Sequence, residues 1–233
     1  VLEYIDNDGD VFAGDYDDPG FNDLETSGYT LTVKHDMDGI ELTSITDFSS
    51  VERRYIEDSD ASPAPIFNFF LTTDAEQFSQ ELRLTGESDN MKWVAGFYYL
   101  DLSIEDSNGA ITEPFIAGED PDAFVYVREP FTDAEGREAG LYNPYTSDLQ
   151  SSSLFGQLEF ALSDDMTLIA GARVIQDEKE FAFAVNAVNF IDPESRDFDS
   201  PANIDSDLVE LASYTGDRKD TEVSARLQLD YRL

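Results

Sequence analysis

The sequence predicts an all-β protein built from antiparallel strands, and three observations support that prediction. Apolar residues recur at every second position in several stretches, without exception in 223–233, so each stretch would have one apolar and one polar face. Short polar breaks, such as Ser163-Asp164-Asp165, separate successive stretches and leave room only for a tight antiparallel reversal. A helix does not fit 153–174, because a rotation of about 100° per residue would scatter the apolar residues round the whole circumference.

Seven strands follow from this alternation. In the third strand Phe78 and Leu82 share one phase, while Ser79 and Arg83 occupy the other. A capping pattern that begins at Ser206 predicts one short helix, ending at Leu211. The strands are predicted at 27–35, 40–55, 76–84, 92–104, 153–162, 166–183 and 223–233.

The connections between these strands alternate in length. Short turns are predicted at 36–39, 85–90 and 163–165, and long polar loops at 1–24, 56–75, 105–148 and 185–220. Antiparallel strands place alternate connections at opposite ends, so one end would hold the turns and the other the loops. Outer-membrane barrels have this asymmetry, with short periplasmic turns and long extracellular loops, and Trp93, Phe160 and Tyr231 fit their aromatic girdles. The chain is therefore predicted to be a single domain, 1–233, that forms a segment of an antiparallel transmembrane β-barrel.

Composition excludes several classes of protein. Lys and Arg number 14 against 51 Asp and Glu, and the resulting formal charge of -37 opposes binding to a nucleic-acid backbone. The chain has no cysteine, hence no disulfide framework and no thiolate metal site. Its longest apolar run, 94–100, is far shorter than the roughly 20 residues that a membrane helix needs. This does not exclude barrel strands, which need only about 9 to 11 residues.

The acidic start of the chain suggests one metal site. Asp6, Asp8 and Asp10 alternate as in a calcium loop, where carboxylates converge on one cation. The pattern is incomplete, because Val11 stands where an EF-hand requires glycine and no helical pattern flanks the loop. Two interpretations stay open, a solvated acidic loop and a calcium site, and no other cofactor is predicted.

No motif of a catalytic site is present. The chain has a single histidine, His35, and no cysteine, which removes most pairs of nucleophile and base. It contains no phosphate-binding glycine loop, no G-x-S-x-G elbow and no H-E-x-x-H motif. The sequence therefore predicts that the protein is not an enzyme.

Candidate binding residues come from the strands and from the loops. In a barrel the polar phase faces the lumen, so Arg83, Arg173 and Arg226 would lie on its wall. These arginines would either contact a ligand or pair with acids across neighbouring strands. The long loops supply tyrosines whose rigid, amphipathic rings suit ligand contact, with loop packing as the alternative. These tyrosines are Tyr126, Tyr142 and Tyr145.

Several pieces of the chain resemble strands of TonB-dependent outer-membrane receptors, in the order in which that family has them. Residues 78–84 read FSQELRL and residues 93–99 read WVAGFYY, which is similar to two consecutive strands of the family. The resemblance covers most of the strands and almost none of the loops. The further matches are GYTLT at 28–32, LTSIT at 42–46, LFGQ at 154–157 and AGAR at 170–173.

The resemblance implies a barrel of about 22 strands, of which this chain would supply seven from the centre. It also implies an N-terminal plug and a TonB-binding motif, which this chain does not contain. The implied function is a bacterial outer-membrane receptor that binds an iron chelate, a cofactor or an oligosaccharide in its extracellular loops and imports it. The implied partners are the lipid bilayer with its lipopolysaccharide, the TonB complex and that ligand.

Two other interpretations stay open at this point. One is a non-energised outer-membrane porin or adhesin, and the other is a soluble, secreted, calcium-binding β protein. The soluble protein would pack the apolar face of 223–233 against another protein layer, whereas a barrel would leave that face bare toward lipid.

Overall fold

A computed structural model of the chain confirms the all-β prediction. The structure describes residues 10, 13–14, 16, 18–61, 63, 67–112, 116–117, 124–125, 138–191, 203–204 and 209–232. Every regular element within these residues is a β-strand. Among them there is no helix with the length and apolar character needed to cross a membrane.

Seven long strands pair in one antiparallel sheet, and two short strands pair separately. The bounds are β1 Phe21–Asp36, β2 Ile40–Asp58, β3 Phe67–Ser88, β4 Met91–Thr112, β5 Ile116–Ala117, β6 Phe124–Val125, β7 Glu138–Ser163, β8 Met166–Phe190 and β9 Val209–Tyr231. The order in the large sheet is β1-β2-β3-β4-β7-β8-β9, so its seven strands lie side by side in the order in which they occur in the chain. The sheet is open, with β1 and β9 at its two edges.

The strands extend beyond their predicted ranges at the end that carries the long connections. β2 and β3 are joined by 59–66 rather than by a loop over 56–75, and β4 and β7 by 113–137 rather than 105–148. β8 and β9 are joined by 191–208 rather than 185–220, and β1 begins at Phe21, within the loop predicted over 1–24. Polar and apolar residues are mixed on both faces of these extensions, so strict alternation cannot reveal them. The ladder of backbone N–H and C=O groups continues nonetheless, because it needs no apolar side chain.

The short helix predicted over 206–211 is wrong from Val209 onward. Val209 pairs with Ala187 and begins β9, so the neighbouring strand rather than a helical turn accepts its backbone hydrogen bonds. Residues 206–208 lie outside the described part of the chain.

Three tight turns join the strands at the opposite end, as predicted. The first places Asp38 and Gly39 at φ angles of 53° and 91°, and the Met37 N–H donates to the Ile40 carbonyl at 2.8 Å. Two consecutive positive φ angles are what a two-residue type I′ hairpin turn requires, which explains the Asp-Gly pair. The other turns lie at 89–90 and 164–165. Turns and long connections are thus sorted to opposite ends of the sheet, which we call the turn end and the loop end.

Alternation gives the sheet two chemically distinct faces. We call the face that carries Leu82 and Leu154 the leucine face, and the face that carries Arg83 and Arg173 the arginine face. The register shifts only at Ala161–Ser163 and Val185–Asn186 within the described pairs, so both faces persist over most of the sheet. One register row of the leucine face crosses all seven strands and is apolar on six of them, with Ser44 on β2 as the exception. The apolar residues are Val33, Leu82, Phe97, Leu154, Val174 and Val223.

A small hydrophobic core lies at the loop end of the leucine face. Ile56, Phe70, Val188 and Phe190 are buried there, and the rings of Phe70 and Phe190 meet edge to face with centroids 5.8 Å apart. Ile204, which lies between β8 and β9, packs against this core. Among the described residues, the buried apolar side chains therefore lie at the loop end.

Candidate functional site

An exposed apolar band crosses the leucine face next to the turn end. Leu154, Val223 and Leu227 are 65%, 69% and 77% exposed, and no described residue covers them. Water disfavours a contiguous apolar patch across so many strands, whereas acyl chains accept it. On β9 the band runs from Val223 to Tyr231, close to the roughly 9 to 11 residues with which a tilted strand crosses a bilayer. Within the described residues this face is bare, as a barrel predicts and as the soluble alternative does not.

Aromatic residues mark both borders of this band. On the loop-end side Tyr29, Phe48 and Phe78 are cross-strand neighbours, and the ring of Phe78 lies 6.3 Å from that of Tyr99. On the turn-end side lie Trp93, Phe160 and Tyr231. Aromatic rings are enriched at both interfaces of membrane barrels, so their positions support a membrane-facing band.

Acidic residues replace the apolar ones on the leucine face beyond this band. Glu52, Asp74 and Glu105 lie in one register row across β2, β3 and β4. Arg54 forms an ion pair with Asp74 at 3.4 Å, which compensates only part of the negative charge of these three acids. This row therefore carries net negative charge, on the same face as the apolar band but nearer the loop end.

Arg83, Arg173 and Arg226 lie together on the arginine face and line one cavity of about 670 Å³. Arg83 and Arg173 share a register row in which Gly96 and Phe155 stand between them. The Phe155 ring lies over Gly96, and the Arg173 guanidinium lies 6.0 Å from the centroid of that ring. We call the three arginines the arginine cluster.

Of the two interpretations left open for these arginines, ligand contact and pairing with acids across strands, the described residues do not show the second. Arg83 contacts Glu81 at 3.2 Å, but Glu81 precedes it on the same strand. Arg173 donates to the Ser153 hydroxyl at 3.0 Å, and Arg226 donates to a glutamine on its own strand. Among the residues that the structure describes, no carboxylate forms an ion pair with Arg173 or Arg226.

A second cluster lies on the arginine face near the loop end. Asp106, Tyr145, Phe183 and Tyr214 share one register row across β4, β7, β8 and β9. Burial raises the pKa of Tyr145 to about 12, and the hydrogen bond that its hydroxyl donates to Asp106 acts in the same direction. Tyr145 is therefore a neutral, oriented phenol under all ordinary conditions.

Two oxygen atoms of this second cluster lack hydrogen-bond donors. Asn143 donates to Asn108 Oδ1 at 3.1 Å, but its own Oδ1 and the Oδ1 of Asp106 are shielded from solvent and no described residue donates to either. A buried acceptor without a donor costs about 1–3 kcal/mol, so a water or a ligand hydroxyl would be favourable here. We call these residues the mouth cluster: Asp106, Asn108, Asn143, Tyr145, Phe183 and Tyr214. Sequence reasoning found Tyr145 but missed Asp106, Asn108 and Asn143, because it treated 105–148 as a loop.

The predicted tyrosines separate in the structure. Tyr145 lies on the arginine face, whereas Tyr142 lies on the opposite face and packs against the core that contains Phe70. Both belong to β7 rather than to a loop over 105–148. The placement of Tyr142 favours packing over ligand contact, and Tyr126 lies outside the described residues.

The calcium site stays a prediction. Asp6 and Asp8 lie outside the described residues, and Asp10 is exposed, with its carbonyl oxygen accepting a hydrogen bond from the Ala13 N–H at 3.1 Å. In the described part of the chain, no group of three or more His, Cys, Asp or Glu side chains is arranged to hold a metal ion.

Comparisons with known proteins agree with this geometry. The chain matches the family described as TonB dependent receptor-like, beta-barrel, over residues 3–233, and comparison with curated proteins gave no match. One similar solved structure is the ferric yersiniabactin uptake receptor FyuA from Yersinia pestis, with a TM-score of 0.62 and 14% sequence identity. The similarity covers 92% of this chain but 27% of FyuA, so the chain spans about a quarter of that receptor. At this level of identity the likeness shows the fold alone.

Proposed function

Because this chain belongs to the TonB-dependent receptor β-barrel family, we propose that its parent protein is a bacterial outer-membrane receptor that binds and imports a nutrient. The observation that carries the proposal is the family match over residues 3–233. The uninterrupted antiparallel order of the sheet is that of a barrel wall. Since β1 and β9 are edges, further strands of the parent would continue the sheet on both sides, as an outer-membrane barrel requires.

The two faces have different roles in this proposal. The leucine face meets lipid through its apolar band, and the arginine face lines the lumen. The turn end then lies in the periplasm and the loop end outside the cell, because membrane barrels keep short turns on the periplasmic side. Support for the lipid-facing role comes from the exposed Leu154 and Leu227 and from the two aromatic borders, and support for the orientation comes from the sorting of the short turns to one end.

Ligand recognition is proposed at the mouth cluster, where the loop end meets the lumen. Tyr145, Phe183 and Tyr214 offer ring surfaces, and Asp106 and Asn143 offer acceptors that need donors. A ligand that presents hydroxyl groups suits this arrangement, which favours an oligosaccharide or a hydroxyl-bearing cofactor among the implied classes. Energised import through a plug and the TonB complex is carried over from the family.

The test uses the full-length receptor in outer membranes broken by sonication, so that the periplasmic face is accessible. Membrane fragments with and without the receptor are incubated with the purified periplasmic domain of TonB, and the retained TonB is measured. The proposal expects receptor-dependent retention, together with recovery of the receptor in the outer-membrane fraction. Recovery in a soluble fraction, or retention equal in both preparations, would contradict it.

A porin or adhesin differs in one measurable respect. Cells that express the receptor are given radiolabelled cyanocobalamin, a ferric trihydroxamate or maltoheptaose, with TonB present or deleted. An energised receptor loses uptake of its probe when TonB is deleted. A non-energised pore takes up the probe equally in both strains.

A further inference from the structure

The arginine cluster concentrates positive charge in a strongly acidic chain. Three of the 14 Lys and Arg residues line a single cavity of about 670 Å³, although the chain has 51 acids. Glu81 is the only carboxylate among the described residues that line this cavity, and Arg83 already pairs with it at 3.2 Å. The remaining lining residues are apolar or neutral and polar, and no described carboxylate forms an ion pair with Arg173 or Arg226.

Arg173 and Arg226 are close neighbours in the sheet. Arg226 pairs with Gly171, and Arg173 lies two residues farther along β8 with its partner Ser224 on β9. Like charges at neighbouring positions of one face repel each other. The only hydrogen bonds of the two guanidinium groups to described residues go to neutral side chains, which do not offset that repulsion. An anion between the two groups would do so.

The surroundings of the two groups also suit an anion. A guanidinium presents its N–H donors in a planar fork that matches the geometry of carboxylate and phosphate oxygens. Tyr98, Gln157 and Ser224 line the same cavity and carry further donors. The Phe155 ring lies beside Arg173 and restricts the directions in which that guanidinium can point.

We infer that the arginine cluster is an oxyanion-binding site, in which Arg173 and Arg226 hold a carboxylate or phosphate group beside the Arg83–Glu81 pair. The oxyanion has two possible sources, an anionic solute in the lumen or an acidic side chain from another part of the parent protein. This inference goes beyond the proposed function, because the site exists whichever nutrient is imported and whether or not import is energised.

The experiment measures thermal unfolding of the full-length receptor in detergent. Samples are heated to a series of temperatures and run on a gel without boiling, and the loss of the compact, folded band is measured. Citrate is titrated against chloride at constant ionic strength, so the probe is the citrate ion alone. Wild type is compared with the double variant R173Q/R226Q. The matched control is R218Q/K219Q, which removes two cations of β9 that lie outside the cavity and pair with Asp220 and Glu178.

If a solute fills the site, citrate raises the unfolding midpoint saturably by a few degrees in wild type and in the control, and not in R173Q/R226Q. If the parent protein fills the site, citrate has no effect. In that case R173Q/R226Q unfolds a few degrees below both other proteins, and the difference shrinks as sodium chloride rises because salt screens the pairing. A difference that salt does not change would indicate packing alone and overturn the inference. The inference would also be overturned if R173Q/R226Q had the same citrate response and the same unfolding midpoint as R218Q/K219Q. Transport is not assayed, so this result is independent of the proposed function.

Discussion

The ring of Phe155 lies over Gly96, its cross-strand neighbour, in the space that a side chain at position 96 would occupy. The backbone carbonyl oxygen of Leu82 closes the other side of that space, 2.9 Å from the position of an added Cβ atom. Glycine at this position therefore lets an aromatic ring lie flat on the wall between Arg83 and Arg173. The arrangement joins the packing of the sheet to the geometry of the arginine cluster.

Replacing Gly96 by alanine should destabilise the barrel by about 1–3 kcal/mol, because the new methyl group displaces Phe155 and presses on the Leu82 carbonyl. The measurement is urea-induced unfolding of the full-length receptor in lipid vesicles. The control is Gly156→Ala, where the nearest atom lies 3.5 Å from the added Cβ and little has to move. Equal stabilities of the two variants would show that Phe155 does not occupy this space.

A charge on the leucine face should be far more costly than one on the arginine face. Leu154→Arg places a guanidinium in the middle of the apolar band and should cost about 2–4 kcal/mol of folding free energy in a bilayer. Glu159→Arg, on the same strand and the opposite face, should cost less than about 1 kcal/mol. Unfolding of both variants in vesicles of one lipid composition provides the comparison. A reversed order of the two costs would assign the faces the other way round.

The titration of Tyr145 should occur about two pH units above that of a free tyrosine. Its folded pKa of about 12 exceeds its ordinary value of 10.0, so the native state holds the phenolic proton more tightly than the unfolded state. The resulting stabilisation is complete below pH 10 and is lost as the pH rises through 12. Ultraviolet difference spectra between wild type and Tyr145→Phe isolate this one phenolate.

Asp106→Asn should lower the pKa of Tyr145 while leaving it above 10, because burial is the larger cause. A transition near pH 10 in wild type would mean that the ring is not buried.

Removal of the two acceptors in the mouth cluster should weaken ligand binding. Asp106→Ala combined with Asn143→Ala removes both Oδ1 atoms, and the loss of about 1–2 kcal/mol corresponds to a roughly 5- to 30-fold rise in the half-saturating probe concentration. The measurement is uptake of whichever probe the wild-type receptor imports. Glu105→Ala with Thr146→Ala is the control, since these residues are paired on β4 and β7 but lie on the leucine face. A control that loses as much uptake as the test variant would exclude a specific role for the mouth cluster.

The strands could be predicted where the surroundings impose a period of two. Leu154, Leu158 and Val223 alternate with polar residues because one face of the strand is apolar and the other is polar. The extents of the strands could not be predicted, because the upper part of β4, with Asp106 and Asn108, is polar on both faces. In that part the backbone ladder and polar side-chain contacts, such as that of Asn143 with Asn108, hold the strand, and they leave no apolar alternation in the sequence.

The candidate sites were only partly accessible from the sequence for the same reason. Alternation alone places Arg83, Arg173 and Arg226 on the polar phase of their strands, but their convergence depends on register across β4, β7 and β8. Tyr142 and Tyr145 are an odd number of residues apart, so a strand puts them on opposite faces. That distinction appears only once 138–163 is recognised as a strand rather than a loop.

The central claim is that the leucine face meets lipid and the arginine face does not. Single cysteines are placed at Leu154, Val174 and Val223 on one face and at Phe155, Arg173 and Ser224 on the other, in a receptor from which any cysteine outside this chain is first removed. Spin labels at these positions in the full-length receptor, reconstituted in vesicles, are tested for collision with oxygen dissolved in the bilayer and with a water-soluble nickel chelate. The account predicts that the first three labels collide mainly with oxygen and the second three do not. Labels that show equal access to both reagents on the two faces, or oxygen access on the arginine face alone, would contradict it.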